Sequence, residues 1–372
     1  MKILYVITSS DLGGAQRHLL YLVNWFHDHH YDIHVVSGEH GPLIEELERN
    51  GIQTTVIPIP KQINVLRDIK SFKKIRSLIV REKFNIVHCH SSKAGIIGRF
   101  AAFSAGVSKI VFTAHGFVFT DPSLTKKKRG FYILLEKICT IFSTDIITVS
   151  SFDYQQGGLY GIETKKMHII QNGIPEEIMI SEAEWQKKNQ VLRESKKFIV
   201  GLVGRLVAEK NIDMFIRIAR IFKRESDLAV EFWIIGDGPL RSKYEKQVKY
   251  LDLGNFVFFK GNQENVVSWL DQMHVQIITS QKEGLPFVLL EGLARGLPII
   301  STDVGGVKEV LDPVNERGVI VELNDDRSMY NRVSALLKND SKRVEMGRNS
   351  IEISQLYTVD TMCDKTNIIY RN

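Results

Sequence analysis

Residues 280–306 read SQKEGLPFVLLEGLARGLPIISTDVGG. An apolar run, VQIITS (275–280), leads into the stretch, and another, PIISTDVGG (298–306), ends it, with a helical pattern between them that opens at Pro286. Proline suits a first helical position, where its missing N–H has no partner to lose. Strand, helix and strand in so short a span is the pattern of a parallel crossover. Glu283 falls in the loop before the helix and Glu291 lies inside it.

The same rhythm extends in both directions. FIVGLVGRL (198–206), VEFWIIGDG (230–238), FVFFKG (256–261) and GVIVEL (318–323) read as further strands. In the first half KILYVIT (2–8), YDIHVVSG (31–38), TTVIPI (54–59), NIVHCH (85–90), KIVFTAHG (109–116), DIITVS (145–150) and MHIIQNG (167–173) do the same. Most are β-branched and end in Ser, Thr, His or Gly, where a loop begins. Helical patterns such as AQRHLLYLVNWFHDH (15–29) lie between them. The fold class is therefore α/β, with two doubly wound Rossmann-like domains facing across a cleft. The expected boundaries are 1–175 for the first domain and 197–355 for the second. Residues 176–196, polar and following Asn172-Gly173 and Pro175, read as a linker. Residues 356–372 read as a helix that packs back on the first domain.

At 372 residues the chain is long enough for two cores. With 44% apolar and 25% charged residues it is neither disordered nor fibrous. Cys89, Cys139 and Cys363 are odd in number and lack ligand spacing, so buried reduced thiols are expected. No apolar run reaches the length of a membrane span, and the amino terminus does not read as a signal peptide, so a soluble cytoplasmic protein is expected. Residues 1–175 hold 21 basic against 14 acidic side chains, whereas the remainder holds 28 against 29. The excess concentrates in 61–83 and 125–130, which suggests that one half meets an anionic surface. Leu66, Ile69, Phe72 and Ile79 read as a buried stripe of the first of these segments. Nucleic acid is disfavoured, because no aromatic interleaving or recognisable module accompanies the charge.

Ligands of doubly wound sheets bind beyond the carboxyl ends of the strands, and four clusters stand there. In SSDLGGAQRHLL (9–20), Gly13-Gly14 opens a helix whose amino end favours an anion, or simply makes a tight turn. In GLVGRLVAEKN (201–211), Arg205 and Lys210 have the chemistry to hold a diphosphate, or form a solvated basic loop. In the opening stretch, the amides of Gly284, Leu285, Phe287 and Val288, with Pro286 among them, surround a helix start, and Glu283 and Glu291 are acceptors for paired hydroxyls. The alternative is that Glu is merely favoured near a helix amino end. In TAHGFVF (113–119), His115 follows a strand and faces the expected cleft. His88 and His90 share one face of their strand, so a metal pair with His115 is conceivable, but no third-ligand pattern supports it and no metal site is assigned. There is no dinucleotide fingerprint, no P-loop, no G-x-S-x-G elbow and no Asp-x-Asp.

Glu283-x7-Glu291 in EGLPFVLLEGLARGLPII, with GRLVAEKN before it and GGAQRHLL near the start, resembles glycosyltransferase family 4 over nearly the whole chain. TAHGFVF, with IITVS further on, resembles the bacterial branch that builds capsular, exo- or teichuronic polysaccharides. The resemblance implies a GT-B architecture and a retaining transfer from a nucleotide diphosphate sugar, a UDP-sugar on this branch, to a membrane lipid-linked sugar acceptor. It implies that Glu291 binds the ribose, Glu283 the sugar hydroxyls, and Arg205 and Lys210 the diphosphate, helped by amides at Gly14 and 285–288. His115 would contact the sugar near the reacting carbon. No metal and no other cofactor is implied, in keeping with the missing Asp-x-Asp. Front-face transfer, with the departing phosphate oxygen taking the acceptor proton, is the expected course; Asp121 is the one candidate carboxylate nucleophile in the first domain's loops. Segments 61–83 and 125–130 would dock the enzyme on the anionic inner face of the membrane as a peripheral protein. The rival readings are a GT-B nucleotide-sugar epimerase and a non-catalytic nucleotide-sugar-binding subunit.

Overall fold

The computed structural model describes residues 1–60, 64–311 and 318–372. Two compact units emerge, Met1–Gly173 with Val359–Asn372, and Ile174–Thr358. The first carries strands β1 (Lys2–Ile7), β2 (Asp32–Ser37), β3 (Gln53–Val56), β4 (Ile86–His90), β5 (Lys109–Ala114), β6 (Asp145–Thr148) and β7 (Met167–Ile169). The second carries β8 (Phe198–Val203), β9 (Val230–Ile235), β10 (Val257–Gly261), β11 (Val275–Ile278), β12 (Ile299–Thr302) and β13 (Val319–Val321). Every strand expected from sequence is present, and all pairings between them are parallel.

The sheet orders are β3-β2-β1-β4-β5-β6-β7 and β10-β9-β8-β11-β12-β13. In each, the winding reverses once, between β1 and β4 in the first and between β8 and β11 in the second. Crossovers on the two sides of such a reversal leave on opposite faces, which opens a crevice at the strands' carboxyl ends. β1, β4 and β11 are buried along nearly their whole length, and β8 through its middle, as strands covered on both faces must be.

Residues 176–196 depart from the linker reading. They form a helix, Glu182–Glu194, within the second unit. Its start is a capping box: Ser181 accepts from the Glu184 amide while the Glu184 carboxylate accepts from the Ser181 amide. Its one buried side chain, Trp185, donates through Nε1 to the Gly296 carbonyl at 3.4 Å. A Cβ on Gly296 would meet the indole at 2.5 Å, so the ring is seated where only glycine leaves room. A single tryptophan anchors an otherwise polar helix, which is why hydrophobic periodicity did not reveal it.

The segment expected to return does so as a helix, Val359–Arg371, in the first unit, where Met362, Cys363, Ile369 and Tyr370 join the core around β1 and β2. Trp25 Nε1 donates to Asp360 at 2.7 Å and Tyr31 to Asn367 at 2.9 Å. All three cysteines are free and buried. The basic segment 61–83 is a helix from Val65 to Glu82, and Lys61, Gln62 and Ile63 lie outside the described residues. Its buried face is Ser71, Ile75, Leu78 and Ile79, whereas Leu66 and Ile69 are exposed, so the apolar stripe expected from Leu66 through Ile79 is only half correct. Residues 65–67, 69 and 70 are exposed, while Asp68 between them pairs with Lys93 at 2.5 Å. Among the described residues no helix is long and apolar enough to cross a membrane.

His274, before β11, ties the Glu182–Glu194 helix to the sheet. The Ile199 amide donates to its Nδ1 at 3.0 Å, so Nε2 carries the proton and donates to the Leu192 carbonyl at 3.1 Å. Both positions suit only the neutral ring. Burial pushes its pKa down from 6.5 to about 4, against the Leu192 hydrogen bond. The unfolded chain therefore binds a proton below about pH 6.5 that the folded one refuses until about pH 4, and stability falls with falling pH across that window. The full shift corresponds to about 3 kcal/mol. Thermal unfolding followed across this range should show a shallower acid loss in His274→Asn than in the parent; identical slopes would exclude the role.

Candidate functional site

At the reversal of the second sheet, the loop after β8 carries Arg205 and Lys210, and the loop after β11 carries Glu283. The two loops are fastened together: Thr279 Oγ1 donates to the Lys210 carbonyl at 2.8 Å, and the Gln281 amide to the Glu209 carbonyl at 2.7 Å. Lys210 Nζ reaches Glu283 Oε1 at 2.6 Å, both largely buried. Ser280 Oγ donates to the same oxygen at 2.6 Å. Arg205, five residues earlier, is exposed and enters no ion pair among the described residues. One cation is thus fixed by a carboxylate, and the other is held only by its loop. Lysine has three donors, so Lys210 keeps two for an incoming anion while it holds Glu283.

The Phe287–Ala294 helix begins directly after this loop, with Pro286 as its cap residue rather than its first residue. No side chain caps it, and the Leu289 amide turns back to the Pro286 carbonyl at 3.1 Å. Gly284, Leu285, Pro286 and Phe287 are buried and Val288 is half-buried, while Glu291 lies one turn in, 6% exposed. A helix apolar on nearly every side thus carries a single inward carboxylate, which helix-end electrostatics alone does not account for.

Gly305 and Gly306 have a structural task. Gly305 adopts φ +52°, and a Cβ there would stand 1.9 Å from the Glu283 carbonyl oxygen. The Gly306 amide donates to the Gly284 carbonyl at 2.7 Å. The glycine pair after β12 therefore clamps the backbone that carries Glu283. Ser280 is a site residue that sequence reasoning missed, although Ser280-x-x-Glu283 has the spacing at which a hydroxyl and a carboxylate meet. Lys260, in β10, has its ammonium over the Trp233 ring at 4.3 Å, with Phe258 and Trp269 also near.

At the reversal of the first sheet stand Gly14, which opens the Gly14–Asp28 helix, and His115, just past β5. His115 Nε2 lies 3.2 Å from His90 Nδ1 at the end of β4. His18, from the Gly14–Asp28 helix, packs edge-on against His115 with ring centroids 4.8 Å apart. Burial holds His115 well below the usual imidazole range, reinforced by His18 and His88, so the ring is neutral near pH 7. Beside it is a cavity of about 210 Å³ lined by Ser91, Ser92, Ile96, Phe117, Tyr132 and others. Asp121 Oδ1 is engaged by the amide and hydroxyl of Ser123 at 2.8 and 2.7 Å, a turn-closing arrangement.

Comparison with known proteins follows the two units. The family described as Glycosyltransferase Family 4 matches residues 12–178, and Glycosyl transferases group 1 matches residues 183–353. The chain is 30% identical to the Escherichia coli UDP-Gal:alpha-D-GlcNAc-diphosphoundecaprenol alpha-1,3-galactosyltransferase, covering 98% of each. It is 28% identical to the Staphylococcus aureus capsular polysaccharide biosynthesis glycosyltransferase CapM, over 86% of this chain and 83% of that protein. In fold it is similar to Anabaena HepE in complex with UDP-glucose, with a TM-score of 0.83 at 20% identity, covering 99% of this chain and 98% of that one.

The clamp on Glu283 is testable by stability alone. Gly305→Ala puts a methyl group against the Glu283 backbone in a left-handed conformation and should cost about 1–3 kcal/mol or more in denaturant unfolding. An unchanged unfolding midpoint would mean that the two loops are not packed in this way.

Proposed function

Because the chain belongs to the family 4 type of bacterial GT-B glycosyltransferases, which build capsular and related polysaccharides, we propose that it transfers a sugar from a UDP-sugar to a lipid-linked sugar acceptor with retention of configuration. The observation that carries this reading is the Lys210–Glu283 pair, with Arg205 in the same loop, set before an uncapped buried helix start. Lys210 and Arg205 bind the diphosphate, together with the first-turn amides around Phe287–Val288 and the Gly14 helix start. Glu291 accepts from the ribose hydroxyls and Glu283 from those of the transferred sugar. His115, neutral and a hydrogen-bond partner rather than a charge, contacts the sugar near its reacting carbon. The UDP preference is supported by the named donor of the Escherichia coli relative, and the lipid-linked acceptor by the diphosphoundecaprenol in its name.

Asp121, the candidate carboxylate nucleophile of the first unit, already closes a turn. Front-face transfer follows: the departing β-phosphate oxygen takes the proton of the acceptor hydroxyl as the new glycosidic bond forms. Catalysis then comes from positioning and from stabilising charge on the leaving group by Arg205, Lys210 and helix-start amides, with no divalent cation required. The cavity beside His115 receives the acceptor.

The acceptor's membrane accounts for the basic first unit. In the Lys126–Ile141 helix, Phe131, Leu134, Ile138 and Ile141 are all exposed, at spacings that put them along one side. Lys126, Lys127 and Lys128 are exposed at its start. Leu66 and Ile69, beside Lys70, repeat the combination on the Val65–Glu82 helix. Apolar groups beside cations suit the interface of an anionic bilayer, where each cation adds about 1 kcal/mol.

Two experiments test these assignments. UDP at a hundredfold excess over its dissociation constant should stabilise the protein by about 2.7 kcal/mol, an effect lost in Glu291→Ala. Arg205→Ala and Lys210→Ala should each lower turnover by about a hundredfold, the scale of one lost leaving-group contact; near-normal rates in both would falsify the diphosphate assignment. Separately, the protein should float with phosphatidylglycerol vesicles at low salt and not with phosphatidylcholine ones. Leu134→Ser with Ile138→Ser should weaken that binding, and no flotation at low salt would remove the membrane role.

A further inference from the structure

We propose that His18, His90 and His115 form a three-nitrogen site for a borderline divalent cation, with Zn2+ as the reference ion, at the winding reversal of the first sheet. One nitrogen from each ring can be chosen so that the three lie within 4.8 Å of one another. The rings come from three elements: the Gly14–Asp28 helix, the last residue of β4 and the turn after β5. β4 borders the reversal point and the helix descends from β1, so the fold gathers them at the place where doubly wound sheets hold ligands.

Three features fit a ligand set better than a packed histidine core. First, His18 Nδ1 is 2.9 Å from the Asn172 amide oxygen, which can only accept; Nδ1 therefore carries the proton and Nε2 presents a lone pair. A ring nitrogen tied to an outer carbonyl is the arrangement that orients metal-binding histidines. Second, His18 Nε2 is buried with no hydrogen-bond partner. Third, His90 Nδ1 and His115 Nε2 are 3.2 Å apart, whereas two nitrogens about 2.05 Å from a tetrahedral Zn2+ would be about 3.3 Å apart. With the widest separation no more than 4.8 Å, closure asks for about 1.5 Å of inward movement.

His88 is not part of the set, contrary to the pairing that strand spacing suggested. Tyr370 OH lies 2.5 Å from its Nδ1 and Thr113 Oγ1 lies 2.7 Å from its Nε2, so both nitrogens are taken. The third ligand comes instead from a helix, at a distance in sequence that no local spacing rule records. Three histidines leave a fourth position of a tetrahedral ion open, and the neighbouring cavity gives room for water or a hydroxyl there. The transfer itself needs no cation on the reading above. A cation here occupies His115 and so competes with its contact to the sugar, which makes the site inhibitory; that consequence alone rests on the proposed function.

Chelator-treated full-length protein is titrated with Zn2+ in competition with a chromophoric chelator. The expected result is one tight site per chain, lost in His18→Gln and in His90→Gln. Asn172→Ala should weaken it by about ten- to a hundredfold, the scale of losing an orienting partner. His168→Gln, on β7 and paired with Asp145, should bind as the parent does. A cooperative thermal melt of each variant establishes that it is folded, and its response to UDP reports the donor site separately. Failure of the UDP response with Zn2+ binding intact overturns the donor assignment alone. Parent protein that takes up no Zn2+, or folded His18→Gln and His90→Gln that take it up unchanged, overturns the site.

Discussion

Parallel strands cannot be joined by hairpins, so every strand here must be followed by a crossover that returns to the same end of the sheet. Right-handed crossovers stack on one face until the order reverses, and only there do two neighbouring loops part. Both sheets of this chain reverse once, after β1 and β4 in the first and after β8 and β11 in the second. The residues with chemistry gather at those two places: Gly14, His18, His90 and His115 at one, and Arg205, Lys210 and Glu283 at the other. Their position is a property of strand order before it is a property of any side chain.

What strand order leaves loose, backbone packing tightens. The left-handed Gly305 and the Gly306 amide hold residues 283–284 from one side, and Thr279 and Gln281 hold the cation-bearing loop from the other. Glu283 therefore meets Lys210 without help from a ligand. A group held in place before binding loses little freedom on binding, which is the physical content of preorganisation. Arg205, without an ion pair, is the more adaptable of the two cations.

The architecture was legible because strands buried on both faces read as unbroken β-branched runs, and each such run in the sequence became a strand. Glu283, Glu291, Arg205 and Lys210 were legible from their places after those runs. Other features depended on contacts that sequence spacing does not carry. The Glu182–Glu194 helix is polar apart from Trp185, so its capping box was its only clear signal. Leu66 and Ile69 have helical spacing with Ile79, but they lie beyond the end of the surface that helix covers. His18 looked like one more residue of an amphipathic helix, and only the folded chain sets it beside His115.

The Val359–Arg371 helix has a consequence for biosynthesis. The first unit is begun by residues made before those of the second, yet its core around β1 and β2 includes Met362, Cys363, Ile369 and Tyr370. Tyr370 also supplies the hydroxyl that meets His88 and Tyr5. A ribosome that has completed residues 1–173 has made a sheet one of whose faces still lacks part of its cover. Ile174–Thr358, an uninterrupted segment with its own core, is free of that dependence. Of these two units the one begun earlier is thus finished later, and until the Val359–Arg371 helix arrives its exposed apolar face is the surface a chaperone would meet.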